Sequence, residues 1–176
     1  MRDLAQKWTA VPDWHQAVVE LSGLAVRSRA GLHQYLVSGN LDAWSSASGL
    51  PTRGAGAFGI TGGDRYAVQV ARDRVLVVSA TPLDIGNGWH EQGFGVTEIS
   101  AGLHVFEGEG PGLPELIARA TPVDPYRASA SAAMLFGGVN AIVYRYDAGL
   151  RIHVDRSLAT YLWSWIGTAG MPVAKS

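Results

Sequence analysis

The sequence predicts an α+β fold in which one domain is built from two similar halves. Runs rich in β-branched and aromatic residues indicate strands, most clearly at residues 141–146 and 150–155. A helical segment is indicated at residues 114–120, and at residues 156–166 the hydrophobic period changes from two to 3.6. Local motifs recur at offsets of roughly 71 to 78 residues, so we expect two βαβββ-like halves related by a pseudo-twofold axis.

Composition excludes several classes of protein. The net charge is −1 and no basic run exceeds residues 27–29, so no nucleic-acid partner is expected. The chain has no cysteine, which excludes disulfides, thiolate metal sites and iron–sulfur clusters. No apolar run approaches the ~20 residues that span a bilayer, and the first residues lack the apolar core of a signal peptide. We therefore expect a cytoplasmic protein that does not enter a membrane.

The same patterns predict the domain organisation. Residues 1–13 are polar and are expected to form an N-terminal arm that lies on the rest of the molecule. Residues 14–176 are expected to form a single domain, long and apolar enough for a hydrophobic core. Its two pseudo-repeats fall at approximately residues 14–88 and 89–170.

The first half combines strands with one capped helix. Asn40 is expected to cap a helix over residues 41–47, and residues 81–92 are expected to hold a helical turn or two. The predicted strands of this half lie at residues 18–21, 31–37, 66–70 and 74–79.

The second half ends in the most regular part of the chain. Gly137 and Gly138 indicate a turn, and Gly149 is expected to take the left-handed position of a three-residue hairpin loop. Asp155 is expected to cap the helix that begins at Arg156. The predicted strands of this half lie at residues 96–99, 103–106, 132–136, 141–146 and 150–155.

Matching segments support the repeat. Gly-Leu-His opens a strand at residues 31–33 and again at residues 102–104. A Trp-His pair, at Trp14 and at Trp89, precedes a Val-x-Glu strand in each half, and each half also contains a later hairpin.

The glycine motif at residues 54–59 matches G-x-G-x-x-G. A dinucleotide-binding motif needs a buried strand before it and a helix after it. Residues 50–53 do not read as a strand and residues 60–63 do not read as a helix, so we interpret the motif as a flexible loop.

The five histidines include no pair at metal-ligand spacing on a predicted helix. His33, His104 and His153 lie in predicted strands beside apolar residues, and we expect them to be hydrogen-bonded residues near the sheet rather than catalysts. From the residues alone, the sequence shows no catalytic constellation.

The C-terminal helix is more apolar than a helix on one sheet needs to be. Its apolar arc covers about 200°, whereas packing on a sheet needs only about 100°. Tyr161 and Trp163 lie on opposite edges of this arc, so we expect them to contact another subunit. The alternative is that the N-terminal arm covers them. Trp8 and Trp14, at that arm, are the second candidate interface.

Three segments resemble a known family. V-T-E-I-S at residues 96–100, L-I-A-R-A-T-P-V-D at residues 116–124 and V-D-R-S-L-A-T-Y-L-W-S-W-I at residues 154–166 resemble the gamma subunit of heterotetrameric sarcosine oxidase. Residues 35–51 and 64–79 are similar to it more loosely. The resemblance implies the folate-binding-domain fold of the aminomethyltransferases, the wider family of the glycine-cleavage T-protein.

Comparison with the T-protein pattern implies that the active group is missing. That family carries a pattern like G-G-(Val/Ile)-x-D-D-L-I-V-Y, and this chain has Asn140 and Ala141 where the acidic pair would stand. Glu98 and Ser100 occupy the positions of an Asp-x-Ser motif. Because neither Asn140 nor Ala141 offers a carboxylate, no catalytic residue is expected in this chain.

The resemblance implies a non-catalytic gamma subunit in a complex that oxidises sarcosine to glycine and passes the one-carbon unit to tetrahydrofolate. The expected partners are an alpha subunit with NAD and tetrahydrofolate, a beta subunit with FAD, FMN between alpha and beta, and a zinc-binding delta subunit. No cofactor or metal is expected on this chain itself. Two alternatives stay open: a subunit of a related flavin-dependent secondary-amine dehydrogenase or oxidase, and a stand-alone folate-binding protein.

Overall fold

The computed structural model describes residues 10–127 and 129–169, and it confirms the α+β class. The helices of this part are α1 (Leu41–Ser48), α2 (Leu113–Ala120) and α3 (Ala159–Ala169). Its strands are β1 (Val18–Leu21), β2 (Leu24–Ser28), β3 (His33–Gly39), β4 (Ile60–Thr61), β5 (Arg65–Ala71), β6 (Arg74–Ser79), β7 (Gly88–His90), β8 (Phe94–Glu98), β9 (Leu103–Glu109), β10 (Ala133–Phe136), β11 (Val139–Tyr146) and β12 (Gly149–Asp155). None of the described helices is both long and apolar enough to cross a membrane.

The strands form two sheets. The first has the order β1-β2-β9-β12-β11-β10, and β4 also pairs with β11, in parallel. The second has the order β5-β6-β3-β8-β7. All other pairs of these strands are antiparallel, so each sheet can be covered on one face and contact the other sheet on its second face.

Three apolar clusters fill the spaces between four layers. Helices α2 and α3 cover the outer face of the first sheet, where Ile152, Leu162 and Ile166 are fully buried. Helix α1 covers the outer face of the second sheet through Trp44, which packs edge-on against Phe94. The third cluster lies between the two sheets. Each large apolar side chain so buried stabilises the fold by about 1.5–3 kcal/mol.

The order of the elements repeats along the chain. Both β1 to β6 with α1, and β7 to β12 with α2, follow the order βββαβββ, and α3 comes last. Each part thus begins with two strands more than the βαβββ unit expected from the sequence. The two parts exchange their first hairpins. Strands β1 and β2 of the first part lie in the sheet that contains β11 and β12, and strands β7 and β8 of the second part lie in the sheet that contains β5 and β6. The pseudo-twofold axis itself stays a prediction.

Both predicted helix caps are present. The Asn40 side chain accepts a hydrogen bond from the Ala43 amide at 3.1 Å and begins α1. The Asp155 carboxylate accepts one from the Ser157 amide at 2.8 Å. A single 3₁₀ turn, Arg156–Leu158, comes between this cap and α3.

Two predictions, of a helical turn and of a hairpin loop, were wrong, and one strand was missed. Residues 81–92 contain no helical turn, because β7 forms there and pairs with β8, and Gly88 has a left-handed φ of 117°. The expected hairpin loop of residues 147–149 has two residues, since Tyr146 pairs with Gly149 in the ladder. Asp147, with φ 50°, therefore takes the left-handed position instead of Gly149. Strand β2 was not predicted, because only Leu24 and Val26 of its five residues carry a strand-like apolar pattern.

The glycine motif of residues 54–59 is a closely packed segment rather than the flexible loop expected from the sequence. Ala55 forms a parallel bridge with Val68, and Phe58 is buried with a φ of 52°. A Cβ on Gly54 would lie 2.6 Å from the Ala67 carbonyl oxygen, and one on Gly56 would collide with a neighbouring carbonyl. These glycines thus allow close backbone approach. No helix follows the motif, as the sequence indicated.

Candidate functional site

A chain of buried polar side chains crosses the core between the two sheets. Arg151 and His153 come from β12, where the two-residue period turns them away from the helices and towards the second sheet. Tyr144 lies beside them on β11, while Gln34 on β3 and Tyr66 on β5 face them from the second sheet. All five side chains are buried.

The hydrogen bonds of this polar chain run in one direction. Arg151 donates from Nη1 to the Tyr66 hydroxyl, which leaves the Tyr66 proton for Tyr144, 2.8 Å away. The Tyr144 hydroxyl then donates to Nε2 of His153 at 2.6 Å. The Nδ1 of His153 therefore carries the imidazole proton and donates it to Oε1 of Gln34, also at 2.6 Å. Each donor in the series has one acceptor.

Burial keeps this network neutral apart from Arg151. Burial, with the nearby charge of Arg151, lowers the pKa of His153 from 6.5 to about 3. Burial also raises the pKa of Tyr66, and it raises that of Tyr144 well above 10. Burial opposes the charge on Arg151, but its contacts with Tyr66 and Glu107 outweigh this and raise the pKa of the guanidinium.

At the other end of the network, Arg151 is held by charge and by an aromatic ring. Its Nε and Nη2 lie 2.7 and 2.6 Å from Oε1 of Glu107, and its guanidinium carbon lies 3.3 Å from the centre of the Tyr146 ring. A cavity of about 510 Å³ opens here, and Arg27 and Arg29 also line it. Arg27 is paired with a second carboxylate, Glu109.

The network fixes the position of the two sheets rather than presenting a reactive group. Every titratable group in this series, from Arg151 through Tyr66 and Tyr144 to His153, already has a partner, so none is a free acid or base at neutral pH. Of these residues, only His153 was expected from the sequence to be hydrogen-bonded near the sheet; Tyr66, Tyr144, Arg151 and Gln34 were not identified. The alternation of Arg151 and His153 with apolar residues on one strand was the signal that could have found them.

The histidine predictions can be compared with the structure one by one. His153 is hydrogen bonded as described, and His104 lies 3.1 Å from the Ser28 hydroxyl, as expected for residues near the sheet. Burial and the charge of Arg156 lower the pKa of His104 to about 4. Nδ1 of His33, which is only partly buried, lies 3.7 Å from the Glu98 carboxylate. In the described ranges, no group of three His, Asp or Glu residues could hold a metal ion.

The two helix residues predicted to contact another subunit differ in their surroundings. Tyr161 is 50% exposed, and its hydroxyl donates to the Gly137 carbonyl at 3.1 Å. Trp163 is half-buried, stacks on Phe106 at 5.3 Å and meets Trp14 edge-on at 5.8 Å. Trp14, which directly follows the arm, therefore packs against Trp163, whereas the alternative interpretation expected the arm to cover both Tyr161 and Trp163. Whether either helix residue also contacts a partner stays a prediction.

Trp14 makes this contact as part of a small aromatic cluster. Trp14 is half-buried and lies 4.4 Å from the His104 ring and 5.8 Å from Phe106. The other tryptophan predicted as an interface residue, Trp8, lies outside the described residues.

The Gly-Gly turn of the family pattern has a structural reason in this chain. Gly137 and Gly138 have left-handed φ values of 58° and 84°. A Cβ on Gly137 would lie 2.9 Å from both Leu162 and Trp165, so the absent side chain lets α3 approach the sheet.

The positions that match the acidic pair lie on β11, between β12 and the edge strand β10 of the first sheet. Asn140 is exposed and opposite Leu135 in the ladder with β10, and Ala141 is buried. Both line a groove of about 390 Å³, and His153 lies in the same lining. Neither side chain can ionise.

The Glu98 and Ser100 pair forms a local hydrogen-bonded corner. The Ser100 hydroxyl donates to the Glu98 carboxylate at 3.0 Å and accepts from the backbone N–H of Gln34 at 2.9 Å. This places the motif beside the Gln34 end of the network.

No protein-family profile and no curated protein matches the sequence. Among solved structures, a chain of the heterotetrameric sarcosine oxidase from Corynebacterium sp. U-96, in complex with pyrrole 2-carboxylate, matches with a TM-score of 0.66. The match has 16% identity and covers 87% of this chain and 86% of that one. The glycine cleavage system aminomethyltransferase T from Bartonella henselae matches with a TM-score of 0.56 and 12% identity. This second match covers 85% of the present chain but only 47% of that protein, so the present chain spans about half its length.

At these identities the likeness concerns the fold. The chain has the fold that is shared by a chain of heterotetrameric sarcosine oxidase and part of aminomethyltransferase T, as the sequence resemblance predicted.

Proposed function

We propose that this chain is the non-catalytic gamma subunit of a sarcosine-oxidase-type flavoenzyme complex. The observation that carries the proposal is the match over nearly the full length of both chains, 87% of one and 86% of the other. Equal coverage means that the matched chain is about as long as this one.

The absence of a carboxylate at Asn140 and Ala141 supports a structural role. In the T-protein pattern these positions hold the acidic pair that handles the folate-borne one-carbon unit. An amide and a methyl group cannot accept or deliver a proton in that chemistry at neutral pH. The hydrogen-bonded network around Tyr66 and Tyr144 instead gives a rigid body on which larger subunits can rest.

The proposed complex is a cytoplasmic heterotetramer with alpha, beta and delta partners. It would oxidise the N-methyl group of sarcosine, with FAD and FMN as electron carriers, and pass the one-carbon unit to tetrahydrofolate. NAD, tetrahydrofolate and the flavins would bind the other subunits, and this chain would brace them.

Reconstitution tests the proposal. The chain is co-expressed with candidate flavoprotein alpha and beta subunits from the same organism, and assembly and flavin content are compared with and without it. We expect a stoichiometric complex that loses its integrity when this chain is omitted. A complex that forms and oxidises sarcosine equally well without this chain would overturn the proposal.

Two further measurements separate the proposal from its alternatives. Asn140→Ala in the reconstituted complex should leave amine oxidation and one-carbon capture near wild type, and a hundredfold loss of capture would reveal a working site. Turnover of other secondary amines by the complex would identify a related dehydrogenase or oxidase.

A stand-alone folate-binding protein is the second candidate, favoured by the likeness to aminomethyltransferase T. Titration of the isolated chain with tetrahydrofolate distinguishes it. Saturable binding in the micromolar range, without a requirement for partner subunits, would favour this candidate over the gamma subunit.

A further inference from the structure

A second cavity, of about 430 Å³, lies at the Gln34 end of the polar network. Its lining includes Trp14, Arg29, Gln34, Leu103 and Arg156. Residues of both Ala-Gly-Leu-His segments, 30–33 and 101–104, contribute to it. The volume lies within the range of about 300–1,000 Å³ that is typical of small-molecule sites.

The network fixes which end of the Gln34 amide faces this cavity. Because Tyr144 donates to Nε2 of His153, the imidazole proton is on Nδ1 and requires the amide oxygen of Gln34 as its acceptor. The Nε2 of Gln34 is thereby turned away from His153. It makes no hydrogen bond with the described residues and lies at the wall of this cavity, although Gln34 as a whole is only 3% exposed. Two N–H donors of a buried side chain thus remain for an acceptor in the cavity that Gln34 lines.

Two guanidinium groups add positive charge to the same cavity. Arg156 donates from Nε to the Ala101 carbonyl at 2.7 Å and is fixed there, while its Nη1 has no described partner. Nε of Arg29 lies 3.8 Å from Glu107, so its ion pair is loose. One carboxylate, that of Asp13, is in the lining, and it accepts a hydrogen bond from the His15 amide.

The remaining wall is apolar. The indole of Trp14 and the side chains of Leu32 and Leu103 lie beside the donors. His104, also in the lining, adds no charge at neutral pH because it stays unprotonated. A ligand that suits these walls has hydrogen-bond acceptors with negative charge at one end and an apolar body at the other.

We propose that this cavity binds a small organic carboxylate, whose oxygens accept hydrogen bonds from Nε2 of Gln34 and from Arg29 and Arg156. The carboxylate is planar and accepts several N–H donors at once, as the amide and guanidinium groups require. Its apolar part lies against Trp14 and Leu103. This site is separate from the Asn140 groove and is independent of the proposed gamma-subunit role.

Calorimetric titration with benzoate and its neutral analogue benzamide, at constant ionic strength, tests the site. We expect benzoate to bind in the millimolar range and benzamide to bind at least about fivefold more weakly, as one or more charge-assisted bonds require. Equal binding of the two probes, or no binding of benzoate at 20 mM, would overturn the proposal. Inorganic phosphate that displaces benzoate at equal concentration would overturn the assignment to an organic carboxylate.

Variants assign the binding to these residues. Gln34→Glu keeps an oxygen for His153 but removes both N–H donors, and it should weaken benzoate at least about tenfold. Arg29→Gln should weaken benzoate about threefold or more, and it keeps the test valid if the Gln34 variant melts early. Arg27→Gln is the matched control, because Arg27 is close in sequence but lines the other cavity and pairs with Glu109. Benzoate affinity that falls equally in Arg27→Gln, or stays unchanged in Arg29→Gln and in folded Gln34→Glu, would contradict the assignment.

Discussion

The hydroxyl oxygens of Tyr66 and Tyr144 lie 2.8 Å apart and join a strand of one sheet to a strand of the other. The two residues are 78 positions apart in the sequence. Their rings also meet nearly edge-on, with centres 5.7 Å apart. The contact therefore links the halves of the molecule through both a hydrogen bond and aromatic packing.

Removing the Tyr144 hydroxyl should be costly. Tyr144→Phe leaves Nε2 of His153 without its donor and Tyr66 without its acceptor, so we expect the free energy of unfolding to fall by about 2–3 kcal/mol. Tyr66→Phe should also destabilise, but the double variant should fall short of the sum by about 1 kcal/mol. Urea denaturation measures these values. Tyr146→Phe is the control, because the Tyr146 hydroxyl makes one hydrogen bond with the described residues, to the Gly63 carbonyl at 3.1 Å, and it should lose less than about 1 kcal/mol. Additive losses would show that the two hydroxyls act independently.

The pKa values of two histidines predict loss of stability in acid. Unfolded imidazoles take up protons below their ordinary pKa of 6.5, whereas the folded pKa is about 4 for His104 and about 3 for His153. The stability that these two neutral histidines contribute is thus fully present above pH 6.5, and it is lost as the pH falls from 6.5 towards about 4 for His104 and about 3 for His153. Each histidine adds up to about 1.4 kcal/mol per pH unit in this window.

Denaturation at a series of pH values checks this slope. His153→Gln can still accept from Tyr144 and donate to Gln34. Between pH 6 and 4 it should lower the slope of the free energy of unfolding against pH by the equivalent of about one bound proton. Gln16→Ala, at an exposed residue without a titratable side chain, is the control and should leave the slope unchanged. An unaltered slope in His153→Gln would mean that His153 is protonated in the folded protein.

Much of the local structure could be predicted from the sequence, because its causes are local. The Asn40 and Asp155 caps, the β11–β12 hairpin and α3 depend on residues within a few positions of each other. The fold class followed from the same signals.

The polar network and the exchange of hairpins could not be predicted, because they depend on distant pairs. The partners Gln34 and His153 are 119 positions apart, and nothing near either residue indicates the other. In the same way, strand-like character at β2 does not reveal that its partner is β9 of the other half. The helical period predicted that Trp163 lies at the edge of the apolar arc. Its contact with Trp14 could not be predicted, because Trp14 is distant in the sequence.

Gly137 should tolerate no side chain. Gly137→Ala introduces a methyl group 2.9 Å from Leu162 and Trp165 at a left-handed φ, so we expect a loss of about 3 kcal/mol or more. Gly63→Ala is the matched control, since Gly63 has a φ of 82° but no atom within 4 Å of its Cβ position. Gly63→Ala should lower the free energy of unfolding by only about 1 kcal/mol, which is the cost of a left-handed backbone conformation for alanine. Equal melting temperatures for the two variants would show that α3 shifts freely to accept the methyl group.

Helix α3 allows packing within the chain and contact with a partner to be tested separately. Trp163→Ala removes a ring that packs on Phe106 and Trp14, so the isolated chain should lose about 3 kcal/mol. Trp165→Ala should cost a similar amount, because Trp165 packs against Phe136. Both variants should melt earlier in the absence of any partner.

Tyr161→Ala should behave differently, because half of the Tyr161 side chain is exposed and its one described hydrogen bond is to the Gly137 carbonyl. The isolated chain should lose less than about 1.5 kcal/mol, whereas association with the proposed partner subunits should weaken by about 2 kcal/mol, as at an interface anchor. Thermal melting of the free chain and co-purification with the flavoprotein subunits measure the two effects. Trp89→Ala removes an aromatic residue that is 74% exposed at the far edge of the second sheet, and it serves as the control for association. If Tyr161→Ala assembles like wild type while Trp89→Ala does not, the partner contacts the second sheet and α3 serves only the core.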